Sequence, residues 1–268
     1  MEAEEYATIY ALERRHWWYV GMRRNSLHLL ERYLPRRRPL ALLDAGCGTG
    51  GALLQLQHYG AVTGFDFSPL AVAFCRQRGL AAIVQASVTD VPFASGRFDA
   101  VTSFEVLYHA DVPDDVGAIR EFGRVLRPGG VLLLRLPAFE WLRSSHDAMV
   151  HTRHRYTREE VRRKLTAAGL EPLRVSYANT LLFPLVVGVR LLQRLLGRAE
   201  AKASDVQETS PLMNRALLAV LAVEGALLSC TDLPIGLSVL AIARKPEGRP
   251  RPEAVAPTAP LALPLFES

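Results

Sequence analysis

The stretch LALLDAGCGTGG, residues 40–51, decides the fold of this chain. Residues 40–46 read as a buried strand run, with Asp44 as the one charge in it. Glycines follow at 46, 48 and 50, and from residue 51 to 59 the pattern turns helical. A strand that breaks into a glycine loop and then a helix begins an α/β unit. Glycine has no Cβ, so such a loop can turn tightly or let a ligand approach the main chain.

Working outward, short apolar runs alternate with helical patterns. Strands are predicted at 61–67 (AVTGFDF), 81–86, 98–106 and 131–137 (VLLLRLP), with helices at 69–78 and 114–126 between them. Ser68 and Pro69 read as the N-cap and first position of the first of these helices, and RPGG (127–130) as the end of the second. Thr157 and Glu160 form a capping box that opens a helix over 158–168, which Gly169 stops. Further strands are expected at 170–178 and 237–245. This alternation predicts a doubly wound, Rossmann-like parallel sheet covered by helices on both faces. Residues 1–39 are expected to form an N-terminal helical lid, closed by PRRRP (35–39). Residues 40–248 would be the main domain, with a helical insertion at about 179–234, and the proline-rich tail 249–268 is expected to be disordered.

Composition narrows the function. With 268 residues, 49% hydrophobic and 22% charged, the chain is neither fibrous nor wholly disordered. Three cysteines, Cys47, Cys75 and Cys230, are too few and scattered for a disulfide framework or a cysteine-rich zinc site. The net charge of +5 comes from 29 Arg and 3 Lys and is mild, so no nucleic-acid partner is expected. The opening MEAEEYATIYALERRHWW is acidic and lacks an apolar core of signal-peptide length, which predicts a cytoplasmic protein.

Asp44 precedes the glycine loop by two residues, and Asp66 ends the next strand. In dinucleotide folds an acid at that strand end accepts hydrogen bonds from a ribose. The loop is neither G-x-G-x-x-G nor G-x-x-x-x-G-K-[ST], so a nicotinamide or triphosphate ligand fits poorly. A ligand with a ribose and an amino acid moiety, but no phosphates, fits better. Here the sequence resembles the class I S-adenosylmethionine-dependent methyltransferases. The resemblance rests on LLDAGCGTG (42–50), TGFDFS (63–68), TDVPFASGRFDAV (89–101), FEVLYHA (104–110) and RVLRPGGVLLL (124–134), in order and at family-like spacing. It implies a mostly parallel seven-stranded sheet with the last strand reversed. It also implies S-adenosylmethionine as cofactor, S-adenosylhomocysteine as product, and no metal. Gly46, Gly48 and Gly50 would pack against the methionine part and Asp44 would receive its ammonium. Asp66 would bind the ribose hydroxyls and Phe67 would flank the adenine. Ser87 and Val88 align where an Asp commonly holds the adenine amine, so Ser87 is a departure. Phe104 and Glu105 would line the cofactor's open side.

Three groups are candidates for acceptor chemistry. In ERRHWWYVGMRR (13–24), His16, Tyr19, Val20 and Arg23 share one helix face, and two adjacent tryptophans, Trp17 and Trp18, cannot both face one core. The segment is either an amphipathic packing helix or a lid, with Arg23 or Arg24 on the methionine carboxylate. The second group is WLRSSHDAMVHTRHRYT (141–157), which packs His146, Asp147, His151 and His154 within nine residues. It is either a solvated loop or an acceptor wall, with His146 as a base and Tyr156, His151 and Arg155 as partners. Third, Glu105 and His109 resemble part of the E-x-x-E-H metal set of ubiquinone-biosynthesis O-methyltransferases. Tyr108 replaces the second Glu, which favours His109 as a pocket wall or auxiliary base. A similar N-terminal HWWY-type segment occurs in a subset of the family.

LLFPLVVGVRLLQRLLGR (181–198) places Arg190, Arg194 and Arg198 in a basic stripe on an apolar helix. A second apolar helix is expected at 212–229 behind Ser210 and Pro211, broken by Arg215 and Glu224. Neither has the uncharged length of a membrane span. The insertion is either a cap over the acceptor pocket or a homodimer contact, or else a peripheral membrane surface. The expected activity is methyl transfer to a small, hydrophobic or lipid-like molecule. The alternative is a non-catalytic S-adenosylmethionine-binding scaffold.

Overall fold

The computed structural model describes residues 3–195 and 208–247, and of residues 3, 145–146 and 193–195 the backbone alone. The tail 249–268, the side chain of Arg194, and Arg198 lie outside the described residues. Seven strands are present: β1 (Leu40–Ala45), β2 (Gly60–Asp66), β3 (Ile83–Gln85), β4 (Phe98–Phe104), β5 (Leu126–Pro137), β6 (Glu171–Ala178) and β7 (Ser238–Arg244). They form one sheet in the order β3-β2-β1-β4-β5-β7-β6. Neighbours from β3 to β5 pair in parallel, and β7 runs antiparallel to both β5 and β6. This is the mixed sheet with a reversed last strand that the sequence implied.

The buried strands feed two cores by simple alternation. Leu43, Val101, Leu132 and Leu134 point to one face, and Leu42, Ala100, Val131 and Leu133 to the other. All eight are at most 1% exposed. A leucine or valine so buried contributes about 1.5–3 kcal/mol, so both faces need helical cover. On the first face lie α5 (Asp115–Val125) and α7 (Arg158–Ala167); α3 (Gly51–Leu56) and α4 (Pro69–Gln77) follow β1 and β2. Asp114 and Thr157 cap α5 and α7 by accepting from Gly117 N and Glu160 N.

The second face takes in the N-terminal helices. After α1 (Ala3–Leu12), α2 (Trp17–Glu31) buries Met22, Leu29 and Leu30 in one core with Leu40 and Leu42. It packs on α9 (Pro211–Cys230) through a close approach at Gly21, where an added Cβ would lie 2.3 Å from Leu221 Cδ1. Asn25 Nδ2 donates to Leu221 O at 2.8 Å beside it. The buried Glu224 accepts from Asn179 N and Leu181 N, which fixes the turn into α8 (Phe183–Leu195). By length and composition α9 is apolar enough to cross a membrane, contrary to the sequence expectation. Its buried Leu221, Glu224 and Leu228 face α2 and the sheet, while Leu212, Met213 and Val223 are exposed.

A smaller difference lies at RPGG. Pairing begins at Leu126 rather than Val131, with a register irregularity and Gly129 at φ 75°. The turn is absorbed into β5 because Gly129 N and Lys245 N exchange bonds with Lys245 O and Gly130 O. The order of strands reverses between β1 and β4, the place where doubly wound folds bind ligands at their strand ends.

Candidate active site

A cavity of about 1100 Å³ lies over these strand ends. Asp44 and Gly46 line it from β1, Asp66 from β2, Glu105 from β4, and Arg135 and Pro137 from β5. Single-ligand pockets are about 300–1,000 Å³, so this volume suits two ligands side by side.

The β1–β2 half presents two carboxylates, Asp44 and Asp66, beside the glycine loop. Gly46 and Gly48 sit at φ 78° and 53°, the left-handed region that glycine tolerates. A Cβ at Gly46 would lie 2.3 Å from Val106 Cγ2, while one at Gly48 would meet open space. Asp66 Oδ2 accepts Gly48 N at 2.8 Å and Oδ1 accepts Ser68 N at 2.9 Å. Each oxygen keeps a lone pair. Asp44 is buried and accepts Thr102 Oγ1 at 2.6 Å. Burial pushes its carboxyl up to about 7, against the lowering effect of Thr102, with the charges of Asp66 and Glu13 adding to the rise. Burial also raises Asp66. Phe67 presents a 65% exposed ring at the rim. Val88 and Ser87 line the wall, but the Ser87 hydroxyl is occupied by Thr89 Oγ1 at 2.7 Å and Thr89 N at 3.2 Å. Gly50 is a correction: it is off the cavity wall, at φ 90°, and its missing Cβ makes room for Leu80 and Cys75 where α3 starts.

The α1–α2 junction forms the roof. Glu13 accepts from Thr49 Oγ1 and from Arg78 Nη2 at 2.7 Å, tying the junction to the glycine loop. Burial outweighs these partners and raises its carboxyl. Arg23 donates to Glu13 O at 2.9 Å, and its buried Nε has no hydrogen-bond partner at the cavity wall. That orphan donor fits the carboxylate of an amino acid ligand. Arg24 is exposed and off the cavity. His16, Trp17, Trp18 and Tyr19 all line the cavity. The two indoles stand edge to face, 5.7 Å apart, so adjacent tryptophans share one wall by turning rather than by one facing away.

The β4–β5 half carries the acceptor candidates. Glu105 adopts φ 57°, and its Oε1 lies 3.0 Å from Arg135 Nε. Arg135 also donates Nη1 to Ser26 Oγ at 3.4 Å and stacks 4.8 Å over Phe104. Tyr108 and Arg155 line this half. Arg155 is riveted by Asp147 Oδ1 at 2.8 Å and Ala138 O at 2.9 Å. Leu185, Val186, Val189 and Arg190 of α8 close the side.

The three catalytic expectations fare differently. Tyr156 is a correction: it is fully buried, off the cavity wall, with its hydroxyl donating to Leu107 O and Asp115 Oδ2, each at 3.0 Å. It holds α5 rather than an acceptor. His109 does line the cavity, and burial lowers its pKa, which keeps the ring neutral. Its Nδ1 lies 3.2 Å from Asp111 N and 3.3 Å from Asp111 Oδ2. The side chain of His146 lies outside the described residues. His151 is exposed, off the cavity wall, and stacks on His109 at 5.6 Å. Sequence reasoning missed Glu13 and Arg135. A lone charge inside the apolar run VLLLRLP was the available signal for Arg135; nothing local marked Glu13. Among the described residues, no three His, Cys, Asp or Glu side chains group as a metal site.

Comparison with known proteins agrees with this geometry. A methyltransferase domain family matches residues 43–134. The ubiquinone biosynthesis O-methyltransferase of Xanthomonas oryzae pv. oryzae is 39% identical over 132 residues, 44% of this chain and 54% of that protein. The chain thus spans about half the length of the first curated relatives it matches. The malonyl-[acyl-carrier protein] O-methyltransferase of Enterobacter lignolyticus is 33% identical over 172 residues, 60% of this chain and 68% of that protein. Among solved structures, a putative methyltransferase of Haloferax volcanii bound to the Trm112 activator shares the fold. Its TM-score is 0.58 at 20% identity, covering 93% of this chain and 96% of that one. By these matches the chain belongs to the class I S-adenosylmethionine-dependent methyltransferases.

Proposed function

We propose that the chain transfers a methyl group from S-adenosylmethionine to a small, hydrophobic or lipid-like acceptor. The observation that carries this is one 1100 Å³ cavity with an acid-lined half at the glycine loop and an aromatic and apolar half at β4–β5 and α8. When bound, the cofactor supplies a methyl group already activated by its sulfonium charge. The chain's part is alignment, which can lower a barrier by about 7–11 kcal/mol. Asp66 would hold the ribose, Asp44 the ammonium and Arg23 the carboxylate. Tyr19, Tyr108 and Trp18 would wall the acceptor in. Burial raises the Tyr19 and Tyr108 hydroxyls, so they stay neutral hydrogen-bond donors. Two relatives bear names that point to ubiquinone biosynthesis and to malonyl-[acyl-carrier protein], and neither is carried over as this chain's substrate.

The α8 surface supports the lipid-like class. Leu185, Val189 and Leu192 are 62%, 47% and 57% exposed along one face of that helix. Leu185 and Val189 also line the cavity. An apolar chain could therefore extend from the cavity along α8, toward a cytoplasmic membrane surface in the fullest version of this reading. The test is to incubate the full chain and methyl-labelled S-adenosylmethionine with fractionated cell extract. Label in the organic-soluble fraction is expected. Label confined to nucleic acid or protein would refute the small-molecule reading. Binding of S-adenosylhomocysteine without label in any fraction would favour a scaffold.

A further inference from the structure

The cavity is divided by charge. Around the glycine loop Glu5, Glu13, Asp44 and Asp66 face Arg23. The cofactor, with a sulfonium, an ammonium and one carboxylate, suits that acidic half. The β4–β5 half is the reverse: Arg135, Arg155 and Arg190 line it against Glu105 and Asp147. Asp111, at the rim beside His109, is 66% exposed in its side chain, so water screens it.

Arg135 and Arg155 are not solvated surface cations. Their side chains are 9% and 10% exposed. Each spends Nε and Nη1 on the protein, Arg135 on Glu105 and Ser26, Arg155 on Asp147 and Ala138. Neither Nη2 has an acceptor among the described residues, and both side chains line the cavity. Ala138, which anchors Arg155, is three residues beyond Arg135, so both side chains are tied to the chain around the end of β5. Along the sheet Arg135 sits two strands from β1, past β4, and its charge still reaches Asp44 and Arg23. Buried guanidinium is costly unless it meets an anion, and its planar fork matches a carboxylate or phosphate.

Building on the methyltransferase reading, we propose that Arg135, backed by Arg155, forms an oxyanion subsite, and that the acceptor is an amphiphile carrying a carboxylate or phosphate beside an apolar body. The apolar body lies against Tyr108, Val150 and Val186. Glu105 holds Arg135 while the subsite is empty, in a left-handed backbone conformation that persists only where the surroundings impose it.

The test measures binding of octanoate, octyl phosphate and octanamide to the full chain in excess S-adenosylhomocysteine, by calorimetry and ligand-detected NMR. At least one anionic probe should bind about tenfold or more tighter than octanamide, as expected for a charge-assisted hydrogen bond. Whichever anion wins identifies the group as carboxylate or phosphate. Arg135→Gln should erase the preference and Arg135→Lys should keep part of it. Glu105→Gln should strengthen the anionic probe, a change that a purely structural role for the pair would not produce. Equal binding of all three probes, or a preference that survives Arg135→Gln, overturns the subsite while leaving the methyltransferase reading intact. Failure of the wild-type chain to bind S-adenosylhomocysteine overturns both. Melting curves and S-adenosylhomocysteine affinity of each variant show that it is folded.

Discussion

Cofactor binding should be strongly pH-dependent, and Asp44 should be the reason. Its carboxyl, ordinarily near 3.8, is pushed up to about 7 chiefly by burial. Such a rise corresponds to about 4 kcal/mol against ionisation, at about 1.4 kcal/mol for each tenfold. The sign follows from proton counting. Between about pH 4 and pH 7 the empty folded chain holds a proton that the unfolded chain has released, so this group lowers stability as pH rises through that window. An ammonium beside Asp44 reverses the preference by favouring the carboxylate. S-adenosylhomocysteine carries that ammonium. Its affinity should therefore rise about 16-fold from about pH 5.5 to pH 7, and about 30-fold in all before levelling off near about pH 8.5, by calorimetry in constant ionic strength. Asp66 and Glu13 are raised too, so the control is Asp44→Asn, in which the hydrogen bond from Thr102 can survive. The variant should melt at least as high as wild type when empty above pH 7, bind at least about tenfold more weakly, and lose most of the pH dependence. A wild-type profile flat across this range, or an Asp44→Asn profile as steep as wild type, would refute the assignment of the ammonium to Asp44.

Three further outcomes are expected. Asp66→Asn should weaken S-adenosylhomocysteine about 10–100-fold, since charged hydrogen bonds are worth about 1.5–3 kcal/mol, with little change in fold; unchanged affinity would remove Asp66 from the ribose site. Gly46→Ala should cost about 2–4 kcal/mol in urea unfolding, from the left-handed backbone and the overlap with Val106 together, whereas a cost under about 0.5 kcal/mol would show that the loop relaxes freely. Tyr156→Phe should lose about 1–3 kcal/mol of stability and leave methyl transfer unchanged at temperatures where the variant is folded; a selective loss of turnover would return Tyr156 to the chemistry.

What the sequence disclosed was what short stretches can encode. The run 40–51 contains its strand, its loop and its acid within one turn of the argument, and Asp66 ends the adjacent strand, so the cofactor half was legible. The strand alternation was legible because each strand sends successive side chains to opposite faces. The polar segment 141–157 was not. Its density of His, Arg and Asp suggested an acceptor wall, but much of that polarity is spent internally. Asp147 grips Arg155, His154 Nε2 meets Glu160 at 2.9 Å, and Arg153 and Tyr156 both reach Asp115. Residue types cannot say whether a polar loop faces a ligand or itself. That choice depends on partners such as Asp115 and Glu160, which come from neighbouring helices.

The same logic explains why the functional charges were the hidden ones. Glu13 reaches Thr49 across 36 positions, and Arg135 reaches Ser26 across 109. Both are charges placed where apolar burial would otherwise be expected, one in a helix junction and one in the interior of a strand. Burying a charge costs stability unless partners offset it. Thr49 and Arg78 lock the N-terminal segment to the glycine loop and offset part of that cost for Glu13. Arg135 recovers only part of it, through a glutamate 30% exposed in its side chain and a 3.4 Å contact to a hydroxyl. A buried cation with an unused Nη2 at the wall of a cavity has already met most of its desolvation cost, so it favours an anion that arrives from outside. That is the physical ground for expecting the acceptor to bring the anion.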